Sequence, residues 1–231
     1  MREGEALLKF IYEHVAKLED GSVIVISSKI VALSEQRVVQ EWTEESRRAL
    51  IRASSDVVLT DSYPPLTYHD GIYAAAAGID TSNGNGALIL PPKHAWKTVR
   101  SIRTGLQKKY QRRHLGVIIA DSMPLPGRRG VVSNAIACAG FMPVLQYKGK
   151  KDIFGKVFEY SSANHADALA AAAGIMMGEG AEQCPIAIIT GAPVSFTRKL
   201  VHVRDIRIPL SQDIYKPLSE SVRKTQKKSI K

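Results

Sequence analysis

A mixed α/β interior of the α+β class is the fold this sequence predicts, on three observations. Apolar, β-branched runs recur at 22–30, 115–120 and 185–190, as in strands covered on both faces. Amphipathic segments with helical spacing lie between them without a regular βαβ period. Neither GxGxxG nor GxxxxGK followed by Ser or Thr occurs, so a Rossmann fold or a P-loop has nothing to stand on.

The elements follow in order. Leu7, Leu8, Ile11, Val15 and Leu18 share one face while Lys9, Glu13 and Lys17 occupy others, which predicts a helix ending near Asp20-Gly21. Ser22 to Ile30 reads as a strand with Ser27, Ser28 and Lys29 near its end. Glu44 to Ser54 reads as a second helix, and Pro64, Pro65 and Gly71 predict a loop over 61–71. Short strands over 72–77 and 87–90 flank GIDTSNGNG at 78–86, where turn residues would expose backbone amides to a ligand.

A helix with a basic outer face is predicted from Trp96 to Tyr110, then a buried strand, Leu115 to Ala120, that stops at Asp121-Ser122. MPLPGRRG at 123–130 reads as irregular because of its prolines and glycines, and it carries Arg128 and Arg129. The Gly-rich turn KGKKDIFGK at 148–156 precedes an alanine-rich helix from Ser162 to Met177, with serines as its caps and MGEG as its stop. A last strand covers Pro185 to Thr190.

With 231 residues and 45% apolar content the chain can bury a real core. We read one domain over 1–215, as a single body or two intertwined subdomains, and a basic tail at 216–231. Aromatics at 6% favour a mixed interior over an aromatic-rich sandwich. The formal charge of +10 attracts anions, whether nucleic acid, anionic lipid, or a phosphorylated or polycarboxylate substrate. Lys216, Arg223, Lys224, Lys227, Lys228 and Lys231 crowd the tail, which reads as a solvated end. No helix-turn-helix, aromatic RNA-binding strand or zinc finger accompanies them, so no specific nucleic acid is expected.

Cys138 and Cys184 are far apart and outside any metal-ligand spacing, which argues against zinc and for a reducing, cytoplasmic setting. Both read as small buried hydrophobes. The first twenty residues have neither the pattern of a signal peptide nor that of an anchor. The longest apolar run, ALAAAAGIMMG at 168–178, is about half of a membrane span, so no membrane partner is expected.

For chemistry, two carboxylates stand out. Asp80 and Asp121 each follow an apolar stretch and open into a polar segment: Thr81, Ser82 and Asn83 after the first, Ser122 after the second. Hard oxygen ligands of this kind suit a divalent cation carrying a nucleotide triphosphate. The same composition also makes ordinary turns, and spacing alone favours that reading. Lys29, Arg128 and Arg129 are cations able to hold an anion or to sit in solvent, and Asp152 is either a site acid or the cap of its own turn.

Four blocks of this sequence, in order, resemble the coenzyme F420-0:L-glutamate ligase family. They are SVIVISSKIVALSEQRVV at 22–39, AAGIDTSNGNGALILPP at 76–92, LGVIIADS at 115–122 with RRG at 128–130, and YKGKKDIFGK at 147–156 continuing through ADALAAAAGIMMGEG at 166–180. The resemblance implies a homodimer that binds GTP with Mg²⁺ or Mn²⁺, with K⁺ as an optional further cation. It would join L-glutamate to a carboxylate acceptor, coenzyme F420-0 or a folate-like acid, through an acyl phosphate. On matching positions, Asp80, Asp121 and Ser122 would hold metal, with Asp80, Asp121, Arg128 and Asp152 as the catalytic set. Ser28, Lys29, Asn83 and the loop Met177, Gly178, Glu179 and Gly180 would contact the nucleotide.

The chain also departs from the family pattern. Leu33 replaces a lysine, Ala168 a glutamate and Thr190 an arginine, MPLPG replaces a G-R-containing turn, and the family's Pro-containing opening does not precede REGEAL. Those departures motivate two alternatives: a folate-type γ-glutamyl ligase, and a catalytically degenerate nucleotide-binding paralogue.

Overall fold

The computed structural model describes residues 1–60, 62–69 and 72–217. The first half of the chain forms α1 (Leu7–His14), β1 (Ser22–Ser27), α2 (Ser28–Ser34), β2 (Val38–Val39), α3 (Glu44–Ala53), β3 (Val57–Val58), β4 (Leu66–His69), β5 (Ile72–Ala75) and β6 (Leu88–Ile89). The second forms α4 (Ala95–Tyr110), β7 (Leu115–Pro124), β8 (Val131–Ala139), β9 (Val144–Gln146), β10 (Ser162–Asn164), α5 (His165–Met177) and β11 (Ile186–Ile189), with short 3-10 turns at Ala76–Gly78, Val203–Asp205 and Leu210–Gln212. Helices and mixed sheets together make an α+β protein, as the sequence predicts.

Two compact units emerge among the described residues: Met1–Glu41 with Asp80–Ile206, and Trp42–Ile79 with the described residues from Arg207. The larger unit is built on a four-stranded sheet in the order β11-β1-β7-β8. β1 runs parallel to β7 and antiparallel to β11, and β8 pairs antiparallel with β7. Both faces of this sheet are covered, which is why its strands read as continuous apolar runs. Ile24 and Ile26 with Val117 and Ile119 point into one core, filled by Leu7, Ile11, Val99, Ile102 and Leu106 of α1 and α4. Val23 and Val25 with Ile118 and Ala120 point into the other, against Ala166, Ala170 and Ala173 of α5. Alanines let α5 approach closely, and Gly174 takes this furthest: an added Cβ there would stand 2.4 Å from the Ser133 hydroxyl oxygen.

The smaller unit packs α3 near the antiparallel sheet β3-β4-β5. Thr43 and Ser46 form a reciprocal capping box at the start of α3. Tyr68 and Tyr73 pair across β4 and β5 with ring centroids 5.1 Å apart. Arg47 is buried, its guanidinium 5.0 Å over the Tyr63 ring and its Nη1 donating to Tyr63 Oη at 3.0 Å.

Several expectations need correction. α1 stops at His14, whose ring Nδ1 bonds to the Phe10 carbonyl oxygen at 2.8 Å; Val15 and Leu18 stay buried as extended chain. The strand read as 22–30 ends at Ser27, whose hydroxyl accepts from Lys29 N and starts α2. Part of the loop read over 61–71 is β4, held between β3 and β5, while Asp61, Asp70 and Gly71 lie outside the described residues. β7 continues through Asp121 to Pro124 because β8, absent from the sequence reading, pairs with it along that length. Asn164, not a serine, caps α5, its Oδ1 accepting from Asp167 N. Cys138 is buried as expected, but Cys184 is exposed. Of the tail cations, Arg223 to Lys231 lie outside the described residues.

Candidate functional site

Parallel pairing of β1 with β7 sets the site. Register places Ser27 beside Ala120, so the residues that follow, Ser28 and Asp121, emerge side by side where β1 and its parallel pairing with β7 end. The Ser28 hydroxyl donates to Asp121 Oδ1 at 2.8 Å, across a sequence separation of 93 residues. A register shift between Ile119 and Ala120 in the β7–β8 ladder falls immediately before Asp121. Bulges of this kind re-aim side chains next to functional sites.

Asp80 reaches the same place by another route. It exchanges both backbone hydrogen bonds with Ile89, at 2.9 Å each, and β6 is in turn paired with β2. The Asp80 carboxylate accepts from Ser82 N at 2.7 Å and from the Ser82 hydroxyl at 3.0 Å. Lys29, on the first turn of α2, forms an ion pair with Asp80 Oδ2 at 2.7 Å and donates to Ser82 Oγ at 3.1 Å.

Electrostatics separate the two carboxylates. Burial pushes the Asp121 carboxyl up; hydrogen bonds from Ser28 and from Ser122 N oppose this, the Asp80 charge adds to the rise, and Lys29 counters it. Burial would also raise Asp80, but the Lys29 ammonium and the Ser82 donors win and hold it below the usual carboxylate range. The charges of Asp80 and Lys29, themselves paired at 2.7 Å, both act on Asp121, which puts the two carboxylates in one neighbourhood. A half-buried, partly uncompensated carboxylate beside a second, ionised one is a natural seat for a hard cation.

A second arc closes around it. The Ser122 hydroxyl donates to Glu179 Oε1 and lies 3.2 Å from the Ser133 hydroxyl. Asn83, held at a φ of +55°, donates from Nδ2 to the Gly180 carbonyl oxygen at 3.0 Å. Met177 ends α5 and packs its side chain against the second core, and Gly178 caps the helix at a φ of +72°. The structure therefore gathers Ser28, Lys29, Asp80, Asn83, Asp121, Ser122, Glu179 and Gly180 into one region through separate sets of hydrogen bonds joined by neighbouring residues in the chain.

Arg128, Arg129 and Asp152 are placed elsewhere. Both arginines are exposed on the turn joining β7 to β8. Asp152 Oδ1 accepts from Phe154 N and Lys156 N, at 2.9 Å each, an arrangement that builds its own turn. Two participants escaped the sequence reading. Ser133 faces Ser122 across the ladder, and the signal for it was Gly174, a helix-interior glycine that marks close approach. Glu182 supports the 177–182 loop, and nothing in its local spacing distinguishes it.

Among the described residues, no group of three His, Cys, Asp or Glu forms a metal cage, and no helix is long and apolar enough to cross a membrane. The fold is of the α+β class, and its candidate site sets two carboxylates, Asp80 and Asp121, near the point where the parallel pairing of β1 and β7 ends. Residues 1–191 match the family model described as F420-0:Gamma-glutamyl ligase, and the chain belongs to that family. It is similar to the coenzyme F420:L-glutamate ligase of Methanocaldococcus jannaschii, 31% identical over 87% of this chain and 81% of that protein. The protein of that name from Methanococcus maripaludis (strain C7) is 32% identical over 78% of this chain and 79% of its own length. The one from Archaeoglobus fulgidus is 30% identical over 84% and 85%, respectively.

Proposed function

We propose that this chain is a GTP- and divalent-metal-dependent glutamate ligase that forms an amide bond between L-glutamate and a carboxylate acceptor. The observation that carries the reading is Asp121, half-buried just past the end of the β1–β7 pairing with its carboxyl raised, in the field of Asp80 and Lys29. The residues fit Mg²⁺ or Mn²⁺. Asp80, Asp121 and Ser122 supply hard oxygen donors too few to complete a shell, and such ions take the remainder from phosphate oxygens and water. When bound, the cation would neutralise phosphate charge and align the transferring group.

A carboxylate is a poor electrophile, so it must first be activated. One acceptor oxygen attacks the γ-phosphorus of GTP and the bond to the β-phosphate oxygen breaks, giving an acyl phosphate and GDP. The glutamate amine then attacks the acyl carbon, phosphate leaves, and the nitrogen loses its proton. Lys29 is placed to exchange Asp80 for phosphate oxygens, and Ser28 orients the Asp121 carboxylate. Asn83 and the 177–180 loop form the nucleotide wall in this reading, and the exposed Arg128, outside the hydrogen-bonded groups of the site, takes no step. Two copies form a homodimer in this reading, which is supported by the exposed apolar side chains of Ile153, Phe154 and Tyr160.

The test is direct. Protein, GTP, Mn²⁺ and L-glutamate are incubated with coenzyme F420-0 or with a folate, and products are followed by mass spectrometry and GDP release. A gain of one glutamate residue with stoichiometric GDP supports the proposal and names the acceptor. No mass change and no GDP would remove it, and GTP binding without turnover would point to a nucleotide-binding paralogue.

A further inference from the structure

The loop that follows α5 is shaped by a side chain outside the charged cluster. Glu182 folds back so that its Oε2 accepts from Gly180 N at 2.8 Å. Its carboxylate also sits against the backbone of Gly178: a Cβ built there would lie 2.2 Å from Glu182 Cδ and 2.5 Å from Oε2. A side chain at Gly178 would have to push the Glu182 carboxylate aside, and the φ of +72° there independently disfavours any residue but glycine. Between these two anchor points lies Glu179, which takes the Ser122 hydroxyl, and Gly180, whose carbonyl holds the Asn83 amide.

The geometry points to Glu182 as a positioning residue: by occupying the space beside Gly178 and tying down Gly180 N, it sets the loop that presents Glu179 and Gly180 to the site. Its carboxylate acts through the loop rather than on substrate. One carboxylate thus meets the loop at two residues, Gly178 and Gly180. Loss of the acceptor frees Gly180 N, and with it the carbonyl orientation on which Asn83 depends, while Ser122 loses a fixed partner. Gly178 and Glu182 thus form one mechanical unit, and residues sharing one contact show non-additive effects.

The consequence for nucleotide handling rests on the proposed ligase function, whereas the positioning itself does not. Full-length protein without ligand is compared by ¹H–¹⁵N NMR as wild type, Glu182→Ala, Glu182→Gln, Gly178→Ala and the Gly178→Ala/Glu182→Ala double variant. Glu182→Ala is expected to move the Gly180 amide resonance upfield and shift the Asn83 side-chain amide, with the melting temperature nearly unchanged. Glu182→Gln, which keeps an acceptor but loses the charge, restores both signals. In steady-state assays Glu182→Ala raises the KM for GTP about tenfold with a smaller change for glutamate, Glu182→Gln recovers most of it, and the double variant falls short of the product of the two single effects. Unmoved Gly180 and Asn83 signals in Glu182→Ala, or additive effects of the two substitutions, would overturn the assignment. If wild type turns over no GTP, the ligase reading fails while the resonance comparison still decides the role of Glu182.

Discussion

Asp121 carries opposed demands. Its carboxyl is raised in the folded protein, so its contribution to stability is complete below the unfolded value and is lost as pH rises through the folded one. At neutral pH the buried charge therefore costs stability. Asp121→Asn keeps an acceptor for the Ser28 hydroxyl and removes that charge. Its melting temperature at pH 7 should match or exceed wild type, the difference should vanish toward acid pH, and turnover should fall by about 100-fold or more. A lower melting temperature at pH 7 would contradict the burial argument. Asp80 has the opposite sign: its carboxyl is lowered, so its contribution is present above the unfolded value and lost as pH falls through the folded one. Lys29→Met removes its ammonium partner, and a carboxyl ¹³C titration should show Asp80 moving back upward.

Elements here depend on partners distant in sequence. α4 has no side-chain cap from its own N-cap residue; Glu35, at the end of α2, accepts from Lys93 N at 2.7 Å and from the Thr98 hydroxyl at 2.9 Å instead. Glu35→Ala should cost about 1 kcal/mol, the usual scale for a lost cap, measured by denaturant unfolding. α5 relies on Gly174 to reach β8. Gly174→Ala would drive a methyl into Ser133 and should destabilise by about 1–3 kcal/mol, with Ser133→Gly recovering part of the loss. An additive double variant would show that the contact is not the cause.

At the scale of the whole molecule, Ile153, Phe154 and Tyr160 are 92%, 89% and 89% exposed in a single chain. Such side chains in a turn are expected to be covered by a second copy. Sedimentation should report a dimer, and Phe154→Asp should shift it toward monomer without lowering the unfolding temperature of the monomer; a wild-type monomer at micromolar concentration would refute this. The sequence by itself determined the class of fold, because continuous apolar runs such as 115–120 require cover on both faces, and it singled out Asp80 and Asp121 as chemically distinctive. It left β8 and β9 unread and took Ser162–Asn164, the residues of β10, for the start of the alanine-rich helix, since SNAIACA and SAN carry no strand periodicity until a partner ladder holds them. Tertiary structure alone decided that Ser28 meets Asp121, that Lys29 neutralises Asp80, and that Glu182 shapes the loop around Gly178. The reason is physical: local pattern encodes which residues avoid water, whereas hydrogen-bond partners 90 or so residues apart are chosen by strand order and register, which no local window contains.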